Sequence, residues 1–282
     1  MSAPKAPIGW YGGKAHLADR LAAMLPTHHT YVEAFGGAAS LLFAKQRATL
    51  EVYNDIDSGL VTFFRCLRDE PGPLARLLRL TPYAREEFTL CRDSWEDVED
   101  DLERARRWYV RMRQAFGCSA SKSWGHELNG SLAGGTRAAS FAATIDELER
   151  FAARLRGVQI EHLDWRKLLA RYDAPGACFY LDPPYHPETR SRIGRNHGYR
   201  FELTARDHDE LIASVLDLTG SVLLSGYEHH SYHVLEHHGF TRHEIPHHVR
   251  TARVGRRATL EIVWRRVAAE HELAPRLFDQ AA

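Results

Sequence analysis

The 282-residue sequence has few cysteines, no excess of either charge and no long apolar run. Its four cysteines are scattered without any Cys-x-x-Cys spacing, which suggests neither a disulfide framework nor a zinc site. No apolar run approaches the roughly 20 residues that span a bilayer. The first residues contain no apolar stretch of the signal-peptide type. We therefore expect a cytoplasmic protein with reduced thiols at Cys66, Cys91, Cys118 and Cys178.

The composition is that of an ordinary globular protein, with 44% hydrophobic and 26% charged residues. The 37 basic residues balance 37 acidic ones, which counts mildly against nucleic-acid binding. The charges are unevenly distributed, however, and local basic patches can bind a phosphate backbone even in a neutral molecule. Acidic residues crowd positions 86–103, whereas arginines cluster in two places, at Arg190, Arg192, Arg195 and Arg200 and at Arg250, Arg253, Arg256 and Arg257.

Short apolar runs separated by helical patterns predict an α/β fold with a largely parallel sheet. Amphipathic helices fit residues 14–24, 38–46 and 206–218; in the last of these, Leu211, Ile212 and Val215 form an apolar stripe. Strands are predicted near residues 30–35, 49–54, 158–163, 177–182, 221–225, 240–246 and 259–265.

The segment 58–156 has a different character, with helical patterns but few convincing strands. The simplest interpretation is a mainly helical insertion that splits the α/β core. We therefore predict a core formed by residues 1–57 and 157–267, an insertion at 58–156 and a C-terminal tail at 268–282.

The tetrapeptide Asp182-Pro183-Pro184-Tyr185 follows a predicted strand, at the end where open α/β sheets place their ligands. Prolines have a fixed φ and no N–H, so this turn offers only acceptors, namely the Asp182 carboxylate and backbone carbonyls, beside an aromatic ring. Two acceptors that hydrogen-bond the two hydrogens of an exocyclic base amine would favour a tetrahedral nitrogen and so free its lone pair. Tyr185 would stack on a base taken out of a duplex. The alternative is an ordinary proline-rich strand exit.

A glycine turn and a second acid point to the cofactor. Phe35-Gly36-Gly37 joins a strand to a helix and lets backbone approach a ligand closely, yet it lacks the Gly-x-Gly-x-x-Gly spacing of a dinucleotide site. Asp55 ends the next strand, where an acid typically binds ribose hydroxyls. A helix N-cap is an equally good interpretation of Asp55. An adenosine-containing ligand fits this arrangement.

Four motifs in series resemble the Dam-like DNA adenine-N6 methyltransferase family, which includes phage and restriction-system enzymes. They are Trp10-Tyr11-Gly12-Gly13-Lys14, Phe35-Gly36-Gly37, Asn54-Asp55-Ile56 and Asp182-Pro183-Pro184-Tyr185. The resemblance implies a class I, Rossmann-like methyltransferase core with a mostly parallel seven-stranded sheet. It also implies that the insertion is a target-recognition domain, and that S-adenosylmethionine donates a methyl group to the N6 amine of a flipped adenine, leaving S-adenosylhomocysteine.

The resemblance also assigns roles to individual residues. The tetrapeptide is expected to be catalytic. Asp182 and the Pro183 carbonyl would hold the amine, and Tyr185 would stack on the base. Asp164 is a further candidate, which would lie near the adenine of the cofactor. An aspartate before a helix is as often only the helix cap. The usual Phe-x-Gly-x-Gly pattern of the family is Phe35-Gly36-Gly37-Ala38-Ala39 here, so that either Ala38 or Ala39 is expected to crowd the loop. The predicted cofactor-binding residues are Trp10, Lys14, Phe35, Gly36, Gly37, Asp55, Asp164 and Asp182.

The expected partner is double-stranded DNA, contacted by Arg190, Arg192 and Arg195 in the basic loop after the tetrapeptide. The 17 histidines show no spacing typical of a metal site, so no metal is expected. A cognate restriction enzyme, a monomeric or weakly dimeric state and the recognition sequence stay open. The alternatives are methylation of RNA or of the N4 amine of cytosine, and a non-catalytic nucleic-acid-binding module.

Overall fold

The computed structural model describes residues 6–10, 12–116, 123–127, 135–189, 200–251 and 255–268. Within this part of the chain no helix has the length and apolar character needed to cross a bilayer. Arg190, Arg192 and Arg195, which we predicted to bind DNA, lie outside the described residues, as does Cys118.

A seven-stranded sheet forms the centre of the described chain and confirms the predicted α/β fold. The first five strands are parallel, and β7 runs antiparallel between β5 and β6. The spatial order is β3-β2-β1-β4-β5-β7-β6. The strands are β1 (Thr30–Glu33), β2 (Leu50–Asn54), β3 (Val158–Glu161), β4 (Ala177–Leu181), β5 (Ser221–Gly226), β6 (Thr241–Thr251) and β7 (Gly255–Arg266).

The helices of the described chain fall into three groups along the sequence. Two short ones, α1 (Ala18–Met24) and α2 (Ser40–Ala44), flank β1. Six lie between β2 and β3: α3 (Ser58–Asp69), α4 (Pro71–Arg79), α5 (Arg85–Ser94), α6 (Asp101–Arg113), α7 (Arg137–Asp146) and α8 (Leu148–Leu155). The remaining three are α9 (Trp165–Tyr172), α10 (Ala205–Asp217) and α11 (His233–His237).

Alternate residues of the strands enter two hydrophobic cores, one on each face of the sheet. In β1, for example, Tyr31 joins one core and its neighbour Val32 joins the other. Helices α9, α10 and α11 cover the Val32 face. On the Tyr31 face, the core continues without a break into the helices between β2 and β3, through residues such as Phe63 and Trp108.

Three predicted boundaries differ from the structure. Helix α1 begins at Ala18 instead of residue 14, since the preceding residues form a turn in which the Leu17 N–H donates to the Lys14 carbonyl at 2.8 Å. Strands β6 and β7 are longer than predicted and pair along their whole length, from Thr241↔Arg265 to Thr251↔Gly255. Strand β5 pairs with β7 only up to Gly226↔Ile262, so the remainder of the hairpin extends past the carboxyl end of β5.

Candidate active site

Asp182 emerges directly after β4, at the carboxyl ends of the parallel strands. The Lys14 ammonium donates to both of its carboxylate oxygens, at 2.9 and 3.0 Å, and to the Gly12 carbonyl at 3.1 Å. The Lys14 side chain is only 5% exposed and that of Asp182 is 17% exposed. Such a largely desolvated, charge-assisted contact fixes the direction in which the carboxylate points.

Glu261 of β7 completes this group of charges. It lies one residue beyond the last β5–β7 pair, which brings it beside the tetrapeptide. The Tyr185 hydroxyl donates to Glu261, and the Lys14 ammonium lies 3.5 Å from the same carboxylate. The ammonium also lies 4.7 Å from the centre of the Tyr185 ring, which packs edge-on against Tyr227.

Burial determines how these acids titrate, because a low dielectric disfavours the charged form. It raises the pKa of Asp182, while Lys14 opposes the shift. Burial likewise raises the pKa of Glu261 to about 7, and Lys14 again opposes it. Glu33, at the end of the neighbouring β1, is buried beneath the same site, and its pKa rises to about 8. Among the described residues, Lys14 thus faces both Asp182 and Glu261, which is more carboxylates than one cation can neutralise.

The turn after β1 is packed too tightly for side chains. A Cβ at Gly36 would lie 2.1 Å from the Tyr53 ring, and one at Gly37 would lie 2.8 Å from the Trp10 indole. Gly37 also has a positive φ of 48°, which favours glycine. Ala39 adopts a left-handed φ of 56°, a strain of roughly 1–2 kcal/mol for a residue other than glycine.

Asp55 ties this turn to the end of β2. Its carboxylate accepts the Gly37 N–H at 2.9 Å and the Asp57 N–H at 2.9 Å. Burial raises the pKa of Asp55 to about 6, against the effect of these N–H donors. The N-cap of α3 is Asp57, whose side chain accepts from Gly59 and Leu60. The helix-cap interpretation therefore applies to Asp57 and not to Asp55.

A cavity of about 460 Å³ opens between the carboxyl ends of the strands and α6. This volume lies within the range of roughly 300–1,000 Å³ usual for small-molecule sites. A smaller recess beside it is lined by Lys14 and Gly36. Together the two spaces bring together every predicted cofactor residue, since Trp10, Phe35, Gly37, Asp55, Asp164 and Asp182 line the larger one.

Asp164 both lines the cavity and caps a helix. Its side chain accepts the Arg166 N–H at 2.9 Å at the start of α9. The two interpretations of Asp164 are therefore compatible in the structure.

Two residues of the site were missed in the sequence, Glu261 and Glu33. Each stands in an otherwise apolar strand, as in Leu260-Glu261-Ile262-Val263, and each is only 2% exposed. Acids are almost never fully buried unless they are paired. An acid within an apolar strand pattern was therefore the available signal.

A group of two histidine side chains and one glutamate side chain includes residues directly after the tetrapeptide. The ligand atoms of His186, Glu188 and His229 lie within 4.8 Å of one another. The Glu188 N–H donates to His186 Nδ1 at 3.3 Å and the Ser231 N–H to His229 Nδ1 at 3.4 Å. When a histidine binds a metal, its other ring nitrogen usually donates its N–H to a carboxylate or a carbonyl. Here the Nδ1 atoms of both histidines accept hydrogen bonds. The expectation that no metal is required stays a prediction.

Comparison with known proteins identifies the family. Residues 10–251 match the model of the D12 class N6 adenine-specific DNA methyltransferases. The chain belongs to this family. It is 27% identical to a DNA adenine methylase of Serratia marcescens over 66% of this chain and 69% of that protein. It is 28% identical to a type II methyltransferase of Lactococcus lactis subsp. cremoris, over 71% and 73% of the two chains.

Among solved structures, an rRNA methylase of Streptococcus thermophilus matches 92% of this chain and 99% of its own. The identity is 9% and the TM-score is 0.34, and a likeness this loose carries no argument about substrate. Membership of the D12 class makes the protein a DNA adenine methyltransferase, with DNA as its substrate and a cofactor of the S-adenosylmethionine type.

Proposed function

We propose that this protein transfers a methyl group from S-adenosylmethionine to the N6 amine of an adenine that is flipped out of duplex DNA. The observation that carries the proposal is the Asp182 carboxylate, held by Lys14 at the edge of a cavity that also contains the glycine turn and Asp55. The aromatic, acidic and glycine residues around this cavity suit an adenosine with an amino-acid tail.

Asp182 is the acceptor for the target amine. Each carboxylate oxygen bonded to Lys14 has a second lone pair, so it can accept an amine hydrogen without losing the lysine. The Pro183 carbonyl accepts the other hydrogen, and the two acceptors favour a tetrahedral nitrogen with a free lone pair. The bound cofactor supplies an electrophilic methyl group. The raised pKa of Asp182 suits its carboxylate to hold a proton released by the amine.

Tyr185 is the proposed stacking surface for the base. Its ring is 8% exposed and is held by Glu261, Lys14 and Tyr227. These contacts fix the ring in one orientation, at the cost of covering part of its surface.

Target recognition is assigned to the helices within residues 58–156, and DNA backbone contact to Arg190, Arg192 and Arg195. The position and charge of the arginine loop support the second assignment. Changing all three arginines to glutamine should reduce the slope of log K against log salt by up to about 2.7, since each lost phosphate contact removes about 0.9. An unchanged slope would contradict the assignment.

Identification of the modified nucleoside tests the proposed function. Duplex DNA and RNA are each incubated with the purified protein and cofactor carrying a labelled methyl group, then digested and analysed by mass spectrometry. We expect labelled N6-methyladenine from DNA alone. Labelled N4-methylcytosine or labelled RNA would favour the rival reactions, and no label in any duplex would indicate a non-catalytic DNA-binding protein.

A further inference from the structure

Three arginines line the large cavity, namely Arg111, Arg166 and Arg200. Two of them are already neutralised by carboxylates. Arg166 pairs with three acids, Asp164 at 3.3 Å, Asp207 at 2.6 Å and Glu210 at 2.5 Å. Arg200 pairs with Glu96, in the turn before α6.

Arg111 differs from the other two. No carboxylate among the described residues lies within 4.0 Å of its guanidinium, which instead lies over the Trp95 ring at 5.6 Å from the ring centre. It lies in the last turn of α6 and is partly buried, and burial lowers its pKa. Asp57 and Glu96 oppose this shift, and Arg200 adds to it. Neither acid forms an ion pair with the guanidinium, and a partly buried cation without a direct anionic partner is costly, so the arrangement favours an anionic ligand.

The place of Arg111 within the cavity favours the cofactor as the source of that anion. Trp108 lies one helical turn before Arg111 on α6, and its ring centre is 6.3 Å from that of Trp10. Trp10 in turn covers Gly37, and all of Trp10, Gly37 and Arg111 line the same cavity. The guanidinium therefore faces the space that the cofactor is proposed to fill.

The charges of the cofactor decide which of its groups can be bound. S-adenosylmethionine carries a sulfonium, an ammonium and a single anion, the carboxylate of its methionine part. We propose that Arg111 binds this carboxylate, so that the helices between β2 and β3 contribute directly to cofactor binding. The inference rests on the proposed cofactor. A guanidinium suits the task because its planar fork can donate two parallel hydrogen bonds to a carboxylate.

A comparison of two ligands isolates the contact. Isothermal titration without DNA would measure the affinity for S-adenosylhomocysteine and for its analogue lacking the carboxylate. Arg111→Gln should weaken binding of the first ligand roughly 10–100-fold, the range for a hydrogen bond to a charged group, and that of the second less than about twofold. Arg111→Lys keeps the charge and should retain an intermediate affinity for the carboxylate-bearing ligand.

Arg104 provides the matched control. It lies two turns earlier on the same helix and also contacts the Trp95 ring, at 5.7 Å, but it does not line the cavity. Arg104→Gln should leave both affinities unchanged.

Several outcomes would overturn the inference. Equal weakening of both ligands by Arg111→Gln would indicate a general change of the cavity. Unchanged ligand binding with a reduced salt dependence of DNA binding would indicate a phosphate contact. If the wild-type protein bound neither ligand, the proposed cofactor itself would be contradicted, and this inference with it.

Discussion

Two buried clusters of charge lie at opposite ends of the parallel strands and have opposite ratios of acid to base. At the amino end of β2, the Glu51 carboxylate accepts a hydrogen bond from Lys45 at 2.6 Å and two from Arg154 at 2.6 and 2.9 Å. At the carboxyl end of β4, Lys14 is the one cation that the described part of the chain places against Asp182 and Glu261. Both clusters are largely hidden from solvent, and the difference between them lies in the balance of charge.

The balance of charge determines what each cluster can do. Burial alone would raise the pKa of Glu51, but hydrogen bonds from Arg154 and Lys45 lower it below its usual value. That carboxylate stays charged and acts as a fixed brace between α2, β2 and α8. Burial raises the pKa of Asp182 and Glu261, and one lysine does not reverse it. These acids can exchange protons and accept new hydrogen bonds, as a catalytic site requires.

The largest effect should come from removing the anion of the amino-end cluster. Glu51→Gln leaves Lys45 and Arg154 with backbone carbonyl acceptors but without their acid, and breaking a buried ion pair in this way typically costs about 3–5 kcal/mol of stability. Denaturant unfolding would measure the loss. The exposed control Glu149→Gln should change stability by less than about 0.5 kcal/mol. A loss below about 1 kcal/mol for Glu51→Gln would contradict the bracing role.

A smaller, pH-dependent effect should come from Glu33, the buried acid beneath the carboxyl-end cluster. Its pKa of about 8 in the folded protein exceeds the value of 4.5 expected when it is unfolded. Between these values the folded state binds more protons, so this group makes stability fall as pH rises. Glu33→Gln should remove that contribution, since glutamine carries no charge.

The gain in stability from Glu33→Gln should therefore be largest above pH 8. Each pKa unit corresponds to roughly 1.4 kcal/mol, so the rise from 4.5 to about 8 limits the gain to about 5 kcal/mol. Relaxation and water entry around the charged carboxylate reduce this limit, and we expect a gain of about 2–3 kcal/mol at pH 9 with little change near pH 4.5. Unfolding curves across this pH range would show it. Equal effects of the substitution at all pH values would contradict a proton-linked origin.

The sequence predicted the sheet well, and also the place of the tetrapeptide directly after a strand, for local reasons. The strands are short apolar runs, and the prolines of Asp182-Pro183-Pro184-Tyr185 fix their own turn. The hairpin of β6 and β7 was predicted too short because its outer part pairs strand to strand and shows no apolar pattern. An apolar periodicity in the sequence shows which side chains are buried, but it does not show which strands pair.

The charge partners of the site could not be predicted in the same way. Lys14 and Asp182 are 168 residues apart, and Tyr185 and Glu261 are 76 apart. The strand order brings them together, and no local pattern encodes that order. Arg111 was missed because α6 looks like any amphipathic helix, in which a surface arginine is ordinary.

Asp182→Asn tests the contrast between the two clusters most directly. In this variant Lys14 retains Glu261 at 3.5 Å, so the cation keeps an acid beside it and the fold should survive. Single-turnover incorporation of labelled methyl groups into duplex DNA should fall by about 10²–10³-fold or more, the scale for one lost electrostatic group. Stability should change by less than about 1 kcal/mol, and the exposed control Asp146→Asn should match the wild type in both respects. Incorporation within tenfold of the wild-type rate would contradict the catalytic role of Asp182.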